Sequence, residues 1–364
     1  MGRRLKWTLA VTAVLLLALG GVKLFQRPIG TLLLERAVAE RVGRDVTAVL
    51  SDGLHIALCG TGSPLPDAAR AGPCSVVIAG KRVFVVDAGE GGAENIVLMG
   101  IPPGRIEAVF LTHFHSDHID GLAQTMLLRW SGGSWRTPLP IHGPAGVEGV
   151  VAGLRTAYAL DTAYRIAHHG AKILPPSGAG GTALPFTLPP AGRGDSVVLV
   201  DDGGLKITAF RVNHRPVEPA VGYRFDYKGR SIVLSGDTAP TPSLVAAARG
   251  ADILVHEALQ PKLVALLTKS LAAKGQANMA QVTRDIVDYH STPEQAAQAA
   301  KAAGVRYLLL NHIVPPMPMR FAYPVFLGDA HRFYGGPITM GEDGMMLDLP
   351  AGSRDIGLQR LLAR

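Results

Sequence analysis

Three histidines and two aspartates stand within eight positions, in the stretch LTHFHSDHIDG that covers residues 111–121. His113 and His115 alternate at the end of an apolar strand pattern, so their side chains point the same way. Asp117 and His118 follow in a segment that we predict to be a loop. Imidazole nitrogens and carboxylate oxygens together are ligands of first-row metals, and zinc is the usual ion at such sites. The pattern therefore favours a metal centre over ordinary polar hydrogen bonds at a strand end.

Three more polar residues each follow a short apolar stretch that is typical of a strand. They are His214 after ITAFRV, Asp237 after SIVLSG and His312 after YLLLN. In α/β proteins, ligand sites gather at the carboxyl ends of strands. We therefore predict one centre that collects all of these side chains. The predicted metal ligands are His113, His115, Asp117, His118, His214, Asp237 and His312.

A second pair, Glu257 in LVHEAL and His290 in DYHSTPEQAA, is suited to proton transfer. A carboxylate beside an imidazole fixes its tautomer and raises its basicity, which makes a competent proton donor to a leaving group. His290 also precedes a helix start, with Thr292 as N-cap and Pro293 at the first helical position. The alternative is that His290 only accompanies this helix start. We predict Asp117, Glu257 and His290 as the catalytic residues.

The amino-acid composition limits which classes of fold and which partners are expected for this chain. Of the 364 residues, 48% are hydrophobic and 18% charged, which is typical of a globular protein and argues against a disordered one. The net charge of +7 suits an anionic substrate, nucleic acid or a membrane surface. Nucleic-acid binding through charge alone is not favoured, because no basic or aromatic cluster stands outside the N-terminus.

The N-terminus reads as a targeting or anchoring segment. Arg3, Arg4 and Lys6 precede an apolar run over residues 7–22, which is typical of a secretory signal. The run is slightly shorter than the roughly 20 residues that a spanning helix needs. Because no clean A-x-A cleavage site follows, we expect a membrane anchor with the rest of the chain facing the periplasm or exterior. Secretion after cleavage is the alternative.

Helix and strand patterns divide the remainder of the chain. We expect a signal anchor or signal peptide over residues 1–28, a juxtamembrane helix or linker over 29–50 and a catalytic domain over 51–364. The domain runs from β-rich to α twice, which predicts an α/β fold with two sheets inside and helices outside. The Pro/Gly-rich segment 174–195 is either a mobile flap or a surface connection. Cys59 and Cys74 form a disulfide or remain as two buried thiols.

Eight motifs between residues 56 and 320 carry a resemblance to a known family. They are CGTGSPLP, VVDAGEG, THFHSDHIDGL, NHRPVEPAVGYRF, SGDT, VHEA, HSTPEQAAQAA and LLNHI. With them the chain resembles the metallo-β-lactamase superfamily, in the branch that contains ribonuclease Z and arylsulfatase-like hydrolases. The resemblance implies an αββα sandwich that binds two zinc ions.

The resemblance also implies a role for each residue of the centre. Asp237 would bridge the two zinc ions, and Asp87 in VVDAGEG would support the cluster from behind without being a ligand. Glu257 and His290 would protonate the leaving oxygen. One zinc would be held by His113, His115 and His214, and the other by Asp117, His118 and His312.

Two zinc ions lower the pKa of a shared water, so that a bridging hydroxide is available at neutral pH as the nucleophile. Such a site suits a phosphodiester or a sulfate ester, and the bridging Asp237 makes a β-lactam substrate less favoured. Ribonuclease Z carries a long substrate-gripping arm between the third metal-binding histidine and the bridging aspartate. Here His214 and Asp237 are only 23 positions apart, and an exported enzyme would be separated from tRNA.

We therefore expect a small anionic ester as the substrate, either a phosphodiester or an aryl sulfate. The alternative is a ribonuclease Z-type endoribonuclease that processes tRNA 3′ ends. A β-lactamase is less favoured because of Asp237. A non-catalytic binding protein tethered to the membrane is less favoured because all seven ligands are present.

Overall fold

Short apolar stretches separated by Gly- and Pro-containing turns form fifteen strands in the described residues. The structure is a computed structural model that describes residues 2–190 and 192–362 and, for Leu17 and Ala18, the backbone alone. The strands are β1 (Gly53–Gly60), β2 (Cys74–Ala79), β3 (Arg82–Val86), β4 (Ile106–Phe110), β5 (Leu139–Pro144), β6 (Gly181–Phe186), β7 (Ser196–Asp202), β8 (Leu205–Arg211), β9 (Val221–Tyr227), β10 (Arg230–Leu234), β11 (Ile253–Leu259), β12 (Tyr307–Val314), β13 (Ile338–Met340), β14 (Met345–Pro350) and β15 (Gly357–Arg360).

The strands form two sheets. One has the order β15-β14-β1-β2-β3-β4-β5-β6, and the other has the order β13-β12-β11-β10-β9-β8-β7. The strands β3 to β6 run parallel to one another, as do β10 to β13. Each run of parallel strands therefore brings its carboxyl ends to a common edge of its sheet, where ligand sites are expected.

Helices cover the outer faces of both sheets, which confirms the prediction of two sheets inside and helices outside. Buried residues of α2 (Gly92–Leu98), α4 (Leu122–Gly133) and α5 (Val147–Ala157) pack on the first sheet. Those of α7 (Pro242–Ala247), α10 (Pro293–Ala303) and α12 (Ala330–Phe333) pack on the second. The helices of this part of the chain are α2 (Gly92–Leu98), α3 (Ser116–Ile119), α4 (Leu122–Gly133), α5 (Val147–Ala157), α6 (Ala159–His169), α7 (Pro242–Ala247), α8 (Pro261–Ala273), α9 (Ala277–Asp285), α10 (Pro293–Ala303), α11 (Tyr323–Leu327) and α12 (Ala330–Phe333).

The space between the two sheets holds an apolar core that is rich in aromatic rings. Phe110 contacts Phe84 from its own sheet, and Tyr223 and Phe225 from the other, with ring centroids 5.5–6.0 Å apart. The Tyr223 hydroxyl donates a hydrogen bond to the carbonyl oxygen of Leu111, at 2.5 Å. This bond ties the second sheet to the segment that leads into the histidine cluster, and so helps to fix the position of that cluster.

The N-terminal residues form a separate unit that ends at Asp45. Within it, helix α1 (Arg3–Arg41) continues through Pro28, so the boundary that we expected at residue 28 lies inside one helix. By length and composition α1 is able to cross a membrane, although a signal sequence meets the same criteria. The anchor therefore remains a prediction.

Two local features differ from the sequence-based expectation. Asp117 and His118, expected in a loop, lie in the single-turn helix α3. The Pro/Gly-rich segment 174–195 is partly regular, because its residues in β6 pair with β5 at the edge of the first sheet. An edge strand tolerates a proline such as Pro185, since one row of its backbone groups needs no partner. Backbone pairing between distant segments, and not local propensity, makes this strand.

Cys59 and Cys74 form a disulfide that joins the end of β1 to the start of β2. Both residues are buried. The bond decides between the two alternatives that the sequence left open. It also closes the loop of residues 60–73, which carries the GTGSPLP motif.

Replacement of both cysteines by alanine should lower the free energy of unfolding by about 3 kcal/mol, because a cross-link over a loop of this length restricts the unfolded chain. Guanidinium unfolding of the full chain in detergent, followed by tryptophan fluorescence, measures the change. Unfolding the unaltered chain in the presence of a reductant is the control and should give a similar loss. A difference below about 1 kcal/mol would show that the cross-link contributes little.

Candidate metal centre

The predicted ligands come together at one edge of the sandwich because each stands at or just beyond the end of a strand. His113 and His115 follow β4, which ends at Phe110. His214 follows β8, and Asp237 follows β10. Residues that are up to two hundred positions apart in the sequence thus become neighbours through strand pairing.

His312 is placed at the centre by a different structural feature from the one that we expected. The sequence places it after a strand, but it lies within β12. Glu257 on β11 pairs with Asn311 and the next residue, Ala258, pairs with Ile313, so His312 is the extra residue of a β-bulge. Its φ of +46° is in the left-handed region. A bulge re-aims a side chain at the end of a ladder, and here it turns the imidazole towards the cluster.

The carboxylate of Asp237 lies at the middle of the cluster. Its Oδ2 atom is 3.9 Å from Nε2 of both His113 and His214. The same oxygen is 3.4 Å from Nε2 of His118 and 3.2 Å from Nε2 of His312. One carboxylate oxygen therefore faces two histidines from each half of the predicted ligand set, which is the position that a bridging ligand requires.

The remaining ligand atoms complete two groups around this carboxylate. In the first group, Nδ1 of His115 lies 3.0 Å from Nε2 of His113 and 3.4 Å from Nε2 of His214. In the second, Oδ2 of Asp117 lies 3.5 Å from Nε2 of His118 and 3.3 Å from Nε2 of His312. Ligand atoms about 2.0–2.1 Å from a tetrahedral zinc ion lie about 3.3 Å from each other. These spacings are those of ligands around an ion.

Asp87, directly after β3, supports the second group from behind. Its Oδ1 accepts a hydrogen bond from the backbone N–H of Thr112 at 2.8 Å, and its Oδ2 accepts one from the Thr112 hydroxyl at 2.9 Å. Nδ1 of His118 lies 2.9 Å from the same Oδ2. When Nδ1 carries the proton, its N–H donates a hydrogen bond to Asp87. Nε2 then keeps a free lone pair that points towards the cluster. A backbone carbonyl does the same for His214, whose Nδ1 lies 3.1 Å from the oxygen of Tyr289.

One of the unpartnered buried atoms in this arrangement fits a cation. Nε2 of His118 is buried and makes no hydrogen bond among the described residues. Buried polar atoms are normally satisfied, and a lone pair held among carboxylates and other imidazoles is satisfied by a metal ion. The mixed set of nitrogen and oxygen donors suits divalent first-row ions, zinc among them.

Burial keeps the first group of histidines neutral. Burial, together with the neighbouring His118, holds the pKa of His113 well below its ordinary value. Burial also lowers the pKa of His115 and His214. At neutral pH these rings therefore offer lone pairs and not protons, which is the state that a metal needs.

In the second group, by contrast, the surroundings favour the charged forms of the side chains. Burial works to raise the pKa of Asp237, but the imidazoles of His312 and His118 outweigh it and hold that pKa well below its usual range. Conversely, burial opposes charge on His118, yet Asp237 and Asp87 raise its pKa well above the ordinary value. Protons and metal ions therefore compete for this group, and acid is expected to weaken metal binding.

Glu257 and His290 lie beside the cluster. Nδ1 of His290 is 3.3 Å from Oε1 of Glu257, without the angles of a hydrogen bond. That oxygen accepts a hydrogen bond from the backbone N–H of Ser291 at 2.7 Å. The His290 ring lies over His312, with centroids 5.4 Å apart, and its nitrogen is within 4.8 Å of the ligand atoms of His312 and Asp237. His290 therefore lies directly beside the predicted metal ligands.

The helix start after His290 is formed as the sequence predicts. Thr292 is the N-cap of α10 and Pro293 its first residue. Gln295 completes a capping box, in which its side chain accepts from the Thr292 N–H while the Thr292 hydroxyl accepts from the Gln295 N–H. This rigid turn fixes the backbone that carries His290.

Two supporting residues were missed by the sequence analysis. Thr112 stands directly before His113, so its position next to the ligands is a signal that could have identified it. Tyr289 supports His214 through a backbone carbonyl and packs its ring 4.7 Å from that imidazole. A carbonyl is common to every residue type, so no sequence pattern could have found this contact.

Comparison with known proteins agrees with this geometry. A family model described as "Beta-lactamase superfamily domain" matches residues 82–313. A ribonuclease Z of Mycolicibacterium gilvum (strain PYR-GCK) is 40% identical over 72% of this chain and 85% of the relative. A ribonuclease Z of Mycobacterium avium (strain 104) is 36% identical over 80% of this chain and 96% of the relative. The chain belongs to the metallo-β-lactamase superfamily, in its ribonuclease Z branch.

A solved structure shares the fold at much lower identity. The short form of human tRNase Z has a TM-score of 0.57 and 22% sequence identity, over 81% of this chain and 98% of the human chain. At this identity the likeness concerns the fold, which is the αββα sandwich described above. Membership of the superfamily makes the chain a hydrolase of the metal-dependent type.

Asp87→Asn should weaken metal binding by about 10- to 100-fold, because it removes the charge that orients His118 and favours its Nε2 lone pair. Zinc titration by calorimetry and the metal content of the purified chain measure the loss. Asp201→Asn, at an exposed position of β7, is the matched control and should bind metal as the unaltered chain does. Equal affinity in both variants would remove Asp87 from its supporting role.

Proposed function

We propose that this chain is a two-zinc phosphodiesterase that cleaves RNA, as expected of a ribonuclease Z-type enzyme. This reverses the order of preference that the sequence suggested. Relatives that are 36–40% identical over most of the chain carry the name ribonuclease Z, while no protein described above is named as a sulfatase. Aryl sulfate hydrolysis therefore remains an untested prediction of lower rank.

One observation carries the proposal: a single carboxylate oxygen of Asp237 faces ligand atoms from both halves of the cluster. The first zinc would be held by His113, His115 and His214, the second by Asp117, His118 and His312, with Asp237 shared. Two such ions, when bound, lower the pKa of a shared water and stabilise negative charge on the ester oxygens.

The chain's own side chains perform the remaining work. Asp117, ionised because His118 and His312 outweigh the effect of burial on its pKa, holds negative charge at the entrance of the cluster. Most of the predicted ligands are buried, so bulk water is largely excluded from the cluster. His290, beside Glu257, is placed to deliver a proton to the leaving oxygen.

The absence of an arm does not decide against RNA. The described residues between His214 and Asp237 hold only the hairpin of β9 and β10. Contacts to RNA must therefore come from other elements. Helix α8 begins directly after β11 and exposes Lys262 and Lys269, and lysines are suited to phosphate contacts that are independent of sequence.

We extend the proposal to location. Helix α1 would anchor the chain in a membrane with the catalytic unit on the exported side. The disulfide between Cys59 and Cys74 supports this side, because such bonds persist in oxidising compartments and are rare in the cytosol. The RNA substrate would then be one that the enzyme meets outside the cytosol.

A substrate panel tests the activity. The purified full chain loaded with zinc should cleave RNA and bis-p-nitrophenyl phosphate, and should lose both activities on chelation. Precursor tRNA and an unstructured RNA of equal length separate tRNA processing from general RNA cleavage. Turnover of p-nitrophenyl sulfate without cleavage of any phosphodiester would overturn the proposal in favour of the sulfate ester reading, and turnover of a chromogenic cephalosporin alone would favour a β-lactamase.

His290→Ala should slow RNA cleavage by about 10²- to 10⁴-fold, because an alkoxide leaving group needs a proton in the transition state. The same variant should slow bis-p-nitrophenyl phosphate hydrolysis by less than about tenfold, since p-nitrophenolate leaves without help. Initial rates at saturating substrate measure both effects. His169→Ala, at the exposed end of α6, is the control, and equal losses on both substrates would exclude His290 as the proton donor.

A further inference from the structure

A cavity of about 750 Å³ opens beside the candidate metal centre. It shares Asp117 with the centre, and Ser116 lies next to it in the wall. The rest of the wall comes from the loop of residues 63–72, which the disulfide closes, and from residues 90–95 around the start of α2. A substituent of an ester held at the metal centre can therefore enter this side cavity.

The charged side chains in the wall of the side cavity are mostly acidic. Besides Asp117, its described wall contains the carboxylates of Asp67, Glu90, Glu94 and Asp120. Glu94 already has a partner, because its Oε1 accepts a hydrogen bond from the side chain of Gln124 at 2.7 Å. The accumulated negative charge repels a phosphate and attracts donors of hydrogen bonds and cations.

The basic residue of this wall, Arg70, is not free to bind an anion. Its Nη1 donates to the Thr61 hydroxyl at 2.6 Å and to the carbonyl oxygen of Gly341 at 2.5 Å. Its Nη2 donates to the hydroxyl of Tyr323 at 3.0 Å. Among the described residues of the wall, no other Lys or Arg is present, so the side cavity offers no cationic group to a second phosphate.

Two acceptor atoms in the wall are buried without a hydrogen-bond partner in the described part of the chain. The Asp67 side chain is only 10% exposed, and its Oδ1 accepts from the backbone N–H of Ala69 at 2.8 Å. Its Oδ2 makes no hydrogen bond and forms only a long ion pair with Nε of Arg70, at 3.7 Å. The Ser63 hydroxyl oxygen is likewise buried and unpartnered. Because such atoms are normally satisfied, they indicate a ligand that brings its own N–H donors.

We infer that the side cavity is a substrate subsite for an amino-bearing group and that it excludes phosphate. This assignment rests on the proposed phosphodiesterase activity, which supplies the ester at the metal centre. The amino group has two possible sources: the exocyclic amine of a nucleobase, since Asp and Glu accept from cytosine N4, or the ammonium of a small alkyl ester. On an RNA substrate, one nucleoside fills the cavity and the rest of the strand leaves in another direction.

Matched p-nitrophenyl diesters test the subsite with a constant leaving group. One pair is the p-nitrophenyl esters of cytidine and uridine 5′-phosphate, which differ mainly in an amino or a carbonyl group. The other pair is p-nitrophenyl 2-aminoethyl phosphate and p-nitrophenyl ethyl phosphate. The amino member of at least one pair should have a kcat/KM about tenfold higher, mainly through KM, as expected for a hydrogen bond to a charged acceptor. The pair that shows the preference identifies the source.

Asp67→Asn provides the decisive variant, because asparagine keeps the acceptor for Ala69 and loses the charge. The ratio of kcat/KM between the amino member and the other member of a pair should fall towards one in this variant. It should also fall in Glu90→Gln, which alters an exposed residue and so does not depend on refolding of the loop. It should persist in the control Asp201→Asn. No preference in either pair, or a preference that survives in both variants, would overturn the subsite while hydrolysis continues. Failure to hydrolyse any of the four esters would overturn the proposed function together with it.

Discussion

Two buried carboxylates and five histidines share one small space, and this concentration of ligand atoms is the constraint on which the site depends. A buried charge is costly unless a partner of opposite charge is close. Asp237 has its partners in His118 and His312 when these rings are protonated, and in metal ions when they are not. Cations, either protons on these rings or metal ions, therefore offset the cost of burying the carboxylates.

The fold meets this constraint with elements that are stiff and far apart in sequence. Parallel strands of both sheets end at the same edge, and the aromatic core around Phe110 fixes one sheet against the other. The hydroxyl of Tyr223 holds the segment that leads into the ligands. Behind the cluster, Asp87 uses both of its oxygens to orient Thr112 and His118. The imidazole of His118 is thus oriented by the protein itself, which reduces the cost of ordering on binding.

Different groups lie next to different ligands of the cluster. His290 lies against the rings of His214 and His312 and beside Glu257, while the acidic side cavity begins at Asp117. A bound ester would thus meet a proton donor and a negatively charged cavity at different ligands of the same centre. On the proposed function, the two surroundings would favour different substituents and so would orient the substrate.

The sequence by itself determined the ligand types, their strand-then-ligand order, the two-sheet organisation and the capped helix start at Thr292. These features are encoded by residues that are neighbours in the chain, through periodicity, capping and the chemistry of the side chains. Long-range pairing decided the rest. The bulge that turns His312, the strand β6 in a Pro/Gly-rich segment, the bond between Cys59 and Cys74 and the carbonyl behind His214 all depend on which distant backbone lies alongside. The side cavity likewise has a wall from three separated segments, so its charge exists only once the tertiary structure brings them together.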